Sequence, residues 1–155
     1  YILDFFQSDD NNIKVKVIGK IEELPKDIYK EIKSVEEKTK NNTGMILNIA
    51  FNYGGRDELV SATKRISELV SSGNLKLEDI TEETISQNLY TAGQPDPDLL
   101  IRTSGEERIS NFLPWQIAYS EFVFTDKFWP EYSDEDFIDS IATYQRRNRR
   151  FGGNK

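Results

Sequence analysis

The sequence predicts an α/β fold, with a mainly parallel central sheet flanked by helices. Short apolar runs of strand length alternate with charged segments of helical period along the chain, and no linker, repeat or low-complexity tract interrupts them. At 155 residues the chain is long enough to bury one core, so residues 1–155 are expected to form a single domain.

Each element has its own signal. Residues 13–18 alternate Ile13, Val15 and Val17 with lysines, as a half-buried strand does, and Gly19 closes it. Residues 25–41 place Ile28, Ile32 and Val35 at helical spacing among charges. Residues 45–52 read as a second strand, with Met45, Leu47, Ile49 and Phe51 on one side. A helix is expected from about Arg56 to Ser72, stopped by Gly73. A shorter helix is expected over residues 81–90, opened by a Thr81 cap. Gly93, Pro95 and Pro97 make residues 92–98 a loop. Leu99 to Ile101 and Glu121 to Phe124 read as short strands, and Ser133 caps a last helix running to about Arg149.

Composition narrows the chemistry. The chain has no histidine and no cysteine, which removes Ser-His and Cys-His nucleophiles, thiolate metal sites and disulfides. What remains is arginine, carboxylate, hydroxyl and backbone chemistry, or a hard metal ion held by oxygen. The net charge of −7 argues against a nucleic-acid partner, which needs a clustered basic surface. No apolar run approaches membrane-spanning length, so a soluble, cytoplasmic protein is expected. The first residues contain no signal peptide and no initiating Met, which fits a fragment of a longer protein.

In an open α/β sheet, ligands sit beyond the carboxyl ends of the strands, so the loops after Asn52, Arg102 and Phe124 are where a site is expected. The run L-L-I-R-T-S-G-E-E-R-I-S, residues 99–110, puts Arg102 at a strand end and Arg108 six residues on. Two guanidinium forks with Thr103, Ser104 and Ser110 hydroxyls would suit a diphosphate. The other reading pairs each arginine with Glu106, Glu107 or Asp98 as a surface ion pair. N-Y-G-G-R, residues 52–56, is a candidate phosphate cradle at a helix start, or simply a tight turn. Among Glu121, Asp126 and Glu131, Glu121 is the candidate metal ligand because it follows an apolar and aromatic run; solvated surface acids are the alternative. The basic run at residues 145–153 complements a helix C-terminus, or binds an anion.

N-T-G-M-I-L-N-I-A-F-N-Y-G-G-R, D-L-L-I-R-T-S-G-E-E-R-I-S-N-F-L-P-W-Q and the closing R-R-F-G-G, in this order and spacing, closely resemble the cis-prenyltransferases of the undecaprenyl diphosphate synthase kind. The resemblance runs from about Ile13 to Gly153. It implies that Arg102, Arg108, Ile109 and Ser110 bind the diphosphate of isopentenyl diphosphate, and that Glu121 holds Mg2+. Arg150 and Gly152 match an R-x-G motif that reaches across a homodimer toward the neighbouring site, and Met45 is the candidate wall of a product tunnel. Glu107 stands where many bacterial relatives have His, and Glu131 where Asp is more familiar.

The family's upstream D-G-N-G-R segment, with its catalytic aspartate, is not in this sequence, so no catalytic residue is assigned and the chain alone is expected to be inactive. The implied activity is condensation of isopentenyl diphosphate with an allylic diphosphate, farnesyl diphosphate being the expected primer, to a long cis-polyprenyl diphosphate carrier lipid for the cell wall. A greasy product suggests peripheral contact with the inner membrane face. Two competing expectations are a non-catalytic partner subunit of the same fold and an unrelated phosphate- or RNA-binding module.

Overall fold

The computed structural model describes residues 12–147, and the chain divides into two compact units, Tyr1–Ala92 and Gly93–Lys155. In the first unit, β1 (Lys14–Ile18) pairs in parallel with β2 (Ile46–Ala50), in the register Lys14 to Ile46 and Ile18 to Ala50. Between them runs α1 (Lys26–Thr39), and after β2 come α2 (Gly55–Ser71) and the short α3 (Glu82–Ser86). In the second unit, β3 (Leu99–Arg102) pairs in parallel with β4 (Glu121–Phe124), and α4 (Asp134–Gln145) follows. Parallel pairs with intervening helices are the predicted class. They take the form of two two-stranded sheets among the described residues.

The first core gathers Val15, Ile18, Ile32, Val35, Ala62 and Ile66, each buried, from β1, α1 and α2. Fully burying a Val or Ile side chain is worth about 1.5–3 kcal/mol. Side chains of α1 also close the outer edge of β1. Val15 N–H donates to Thr39 Oγ1 at 3.1 Å and Val17 N–H to Glu36 Oε1 at 3.0 Å. The other strand of each pair cannot reach these outward amides, and an orphaned buried amide costs more than a hydrogen bond gains. Thr39 is accordingly 3% exposed, and its own hydroxyl donates to Val35 O at 2.9 Å.

Where β1 ends, Gly19 adopts φ 127°, and a Cβ there would stand 2.1 Å from Phe51 O. No other residue fits this close strand approach. The helix expected over residues 81–90 is in fact a single turn, Glu82–Ser86, opened by a reciprocal Thr81–Thr84 cap. Five residues supply little helical bonding of their own, and the chain beyond returns through turns to bury Leu89. Likewise α4 ends at Gln145, with Arg146 as its C-cap, short of the expected Arg149. Residues 148–155, including Arg150, Phe151 and Gly152, lie outside the described residues.

In the second unit Ser133 caps α4, accepting from Asp136 N–H, while Asp136 Oδ2 accepts from Ser133 N–H at 2.8 Å. Lys127 Nζ donates to both Asp136 oxygens, at 2.7 and 2.8 Å. That bond, joined by the cap amide of Ser133, pulls the Asp136 carboxyl down from its usual 3.8 to about 2.

Thr39→Val keeps the shape of the side chain but strands the Val15 amide, so it should cost about 1–3 kcal/mol in urea unfolding. A depressed acid stabilises the fold above its unfolded pKa and loses that contribution as pH falls toward its folded value. The advantage of wild type over Asp136→Asn in urea midpoint should therefore be full above about pH 4 and vanish as pH approaches about 2.

Candidate active site

Strand β3 is short and apolar until its last residue, so the fold delivers Arg102 to the strand's carboxyl end with Leu100 buried behind it. Here a cavity of about 220 Å³ is lined by Leu100, Ile101, Arg102, Arg108, Ile109 and Phe112. Three of the four residues expected to take a diphosphate thus meet around one space. Ser110, exposed, follows directly at the turn that ends this segment.

The two arginines differ. Arg102 Nε is buried and has no hydrogen-bond partner. Leaving such a donor unmade is costly unless a ligand completes it, and a protein that keeps one invites a functional explanation. Arg108, by contrast, is 68% exposed at its side chain and is paired with Glu106. The surface ion-pair reading therefore holds for Arg108 and not for Arg102.

The connecting loop is held in unusual backbone. Ser104, Ser110, Asn111 and Leu113 have φ of 71°, 46°, 64° and 47°, and Gly105 has 65°. Left-handed conformations in non-glycine residues are uncommon and concentrate at ligand sites. The loop is tied to the chain after β4, with Ser104 N–H donating to Lys127 O at 2.8 Å and Gly105 N–H to Thr125 O at 2.9 Å.

Glu121, at the start of β4, has its side chain 24% exposed and is paired with Arg147, whose Nη1 stands 2.9 Å from Oε2. The same nitrogen donates to Phe122 O at 2.7 Å, closing the outer edge of β4. No group of three or more acids able to hold a metal occurs among the described residues. A single half-buried carboxylate fits magnesium only where substrate phosphates supply further oxygens, which is the usual way this ion is bound beside diphosphates. Asp126 and Glu131 are exposed; Asp126 abuts Gly105, and Glu131 accepts from Phe128 N–H at 3.1 Å.

N-Y-G-G-R forms a tight turn. Asn52 is left-handed at φ 49°, its side chain donates to Lys20 O at 3.0 Å, and Gly54 caps α2. Asp57 and Glu58 already occupy the first helical turn, where they answer the helix dipole. Glu58, 1% exposed, accepts from Tyr53 hydroxyl at 2.5 Å and from Tyr90 N–H at 2.6 Å. This buried anchor had no signal in the sequence beyond an acid near a helix start. Met45 is 59% exposed and precedes β2, while Leu47 and Ile49 are half-buried within it. The sequence also gave no separate sign of Phe112 as a cavity wall or of Arg147 as the partner of Glu121.

An apolar strand thus ends in an arginine with a buried, unpartnered Nε, and a second arginine and a loop with left-handed backbone lie beside it in an α/β protein. The sequence profile described as putative undecaprenyl diphosphate synthase matches residues 3–152, and the chain belongs to that prenyltransferase family. It is 52% identical over 144 residues to the ditrans,polycis-undecaprenyl-diphosphate synthase, (2E,6E)-farnesyl-diphosphate specific, of Micrococcus luteus, covering 93% of this chain and 58% of that protein. It is 50% identical to the isoprenyl transferase of Bacillus anthracis, covering 93% and 56%. The chain thus spans a little over half the length of these curated relatives.

Among solved structures, lavandulyl diphosphate synthase from Lavandula x intermedia, in complex with dimethylallyl diphosphate, superimposes with a TM-score of 0.91 at 38% identity, covering 97% of this chain and 68% of that one. A probable undecaprenyl diphosphate synthase from Campylobacter jejuni gives 0.84 at 34% identity, covering 98% and 70%.

If the buried Arg102 donor is kept for a ligand, removing it should not weaken the fold. Arg102→Met is expected to leave the thermal unfolding midpoint unchanged or raised; a clear drop in calorimetry would show that the guanidinium serves the core instead.

Proposed function

We propose that this chain carries the isopentenyl diphosphate half of a cis-prenyltransferase site, in a protein that condenses isopentenyl diphosphate with an allylic diphosphate, farnesyl diphosphate being the expected primer, to a long cis-polyprenyl diphosphate. The observation that carries the reading is the unpartnered Nε of Arg102 in a cavity shared with Arg108. Two guanidinium forks at one cavity match a diphosphate in charge and geometry. Leu100, Ile109 and Phe112 give the same cavity an apolar side for the five-carbon tail.

In that reaction the allylic C–O bond breaks and diphosphate departs, the isopentenyl double bond attacks the allylic carbon, and a proton leaves the new chain. The residues described here bind and orient. Arg102 and Arg108 fix the isopentenyl diphosphate, the Ser110 hydroxyl serves a further acceptor position, and the apolar wall sets the direction of the double bond. Glu121 is the residue assigned to hold Mg2+, which when bound supplies neutralisation of diphosphate charge.

A homodimer is the assembly proposed, with Arg150 and Gly152 reaching the partner's site. The exposure of Phe137 and Ile138 on α4 and of Trp129 before it supports an apolar contact in the second unit. Met45 is proposed as a wall of the product path, consistent with its exposure. No helix among the described residues is long and apolar enough to cross a membrane, and contact with a membrane surface is proposed as peripheral.

Isothermal titration of the chain with isopentenyl diphosphate tests the binding role. Arg102→Gln should weaken affinity by about 10- to 100-fold, as removal of charge-assisted hydrogen bonds does, and Arg108→Gln should weaken it to a lesser extent. Unchanged affinity in both variants would sink the assignment.

A further inference from the structure

The loop that carries the two arginines is strained, and something must hold it. Ser104, at φ 71°, is a non-glycine residue in left-handed backbone, a conformation that persists only where the surroundings over-determine it, and Gly105 follows it at φ 65°. Their two amides are held by carbonyls of one turn: Ser104 N–H by Lys127 O at 2.8 Å and Gly105 N–H by Thr125 O at 2.9 Å. The return bond, Thr125 N–H to Arg102 O at 3.0 Å, closes the bracket around the end of β3. A Cβ on Gly105 would stand 3.2 Å from Asp126 Oδ1, so the turn also abuts the loop sterically.

The position of this turn therefore sets the backbone between Arg102 and Arg108. It is fixed in its own right by Lys127, whose Nζ bonds both oxygens of Asp136. Asp136 cannot follow a moving lysine, because the same carboxylate accepts from Ser133 N–H at 2.8 Å and Ser133 Oγ at 2.9 Å in the cap of α4. Neither Lys127 nor Asp136 lines the cavity.

We propose that Lys127 and Asp136 are positioning residues for the diphosphate cavity: their ion pair anchors the turn 125–127 to the start of α4, and the turn's carbonyls hold the arginine loop in its binding conformation. This rests on the reading of the cavity as a diphosphate site. The competing role for the pair is a surface salt bridge that contributes to stability alone, or a lysine that attracts anions by charge.

Charge and position predict opposite signs for one variant. Lys127→Met removes a positive charge and Asp136→Asn a negative one, so a purely electrostatic influence makes the first bind isopentenyl diphosphate more weakly and the second more tightly. A positioning pair makes both weaker. Titration calorimetry with isopentenyl diphosphate should show losses of about three- to fivefold in each, the scale of an exposed ion pair, with circular dichroism unchanged. Opposite shifts, or unchanged affinity in both, would overturn the proposal. Arg102→Gln run alongside separates the two levels. If Arg102→Gln keeps wild-type affinity, the diphosphate reading itself fails; if it loses affinity while the Lys127 and Asp136 variants do not, only the positioning role fails.

Discussion

A two-stranded parallel sheet leaves outward amides and carbonyls with no strand to meet, and in both units a side chain from a helix or from just beyond its end takes some of them. On β1 the outward amides of Val15 and Val17 are taken by Thr39 and Glu36 of α1. On β4 the outward carbonyl of Phe122 is taken by Arg147, just past the end of α4. Such closure fixes the register of helix on strand, because a polar side chain must arrive opposite a particular backbone group. It also limits pairing with foreign strands at those edges. Burial then follows: Thr39 and Val35, on adjacent helical turns, go inside together.

That constraint favours the carboxyl ends of the strands as the place for the proposed chemistry. Strand interiors are committed to apolar packing and edges to closure, so groups left over for a ligand can stand only where a strand stops. Arg102 is the last residue of β3 and keeps a buried donor unmade. The loop beyond it departs repeatedly into left-handed backbone at Ser104, Ser110, Asn111 and Leu113. Both features cost stability, and both are found beside the same cavity. A fold selected for stability alone would have removed them.

Much of this was legible in the sequence, for reasons that differ by element. The alternation of Ile13, Val15 and Val17 and the helical spacing of Ile28, Ile32 and Val35 depend on local periodicity, which tertiary context here reinforces. The glycine at residue 19 marked a strand end correctly, though its cause, a 2.1 Å approach of any Cβ to Phe51 O, is a tertiary fact. The segment at residues 81–90 was overread because a good cap says where a helix begins and nothing about how far it runs. Arg102 and Arg108 were expected together from their spacing around a strand end, and Ile109 only from the family resemblance; all three line one cavity. Sequence pattern could not have shown that Glu121 would face Arg147, since 26 residues separate them and the pair depends on how α4 lies on β4. The same is true of Glu58 and Tyr90, 32 residues apart.

The pairing of Arg108 with Glu106 bears on the binding site through magnitude. Viewed as a static contact, it removes one of the two guanidinium groups from service. Yet Arg108 is 68% exposed at its side chain, and pairs of this kind are worth about 0–1 kcal/mol after solvent screening and side-chain entropy. A charge-assisted, bidentate bond to a phosphate in a partly enclosed cavity is worth roughly 1.5–3 kcal/mol, and a diphosphate offers more charge than a single carboxylate. On the proposed reading the exchange is therefore downhill. Glu106 holds the guanidinium near the cavity mouth at little cost, which limits the rotamer entropy Arg108 must lose on binding. On that reading the two alternatives that the sequence left open, surface pair and anion fork, become successive states of one side chain, and Arg102, whose buried Nε has no partner among the described residues, is completed by the ligand.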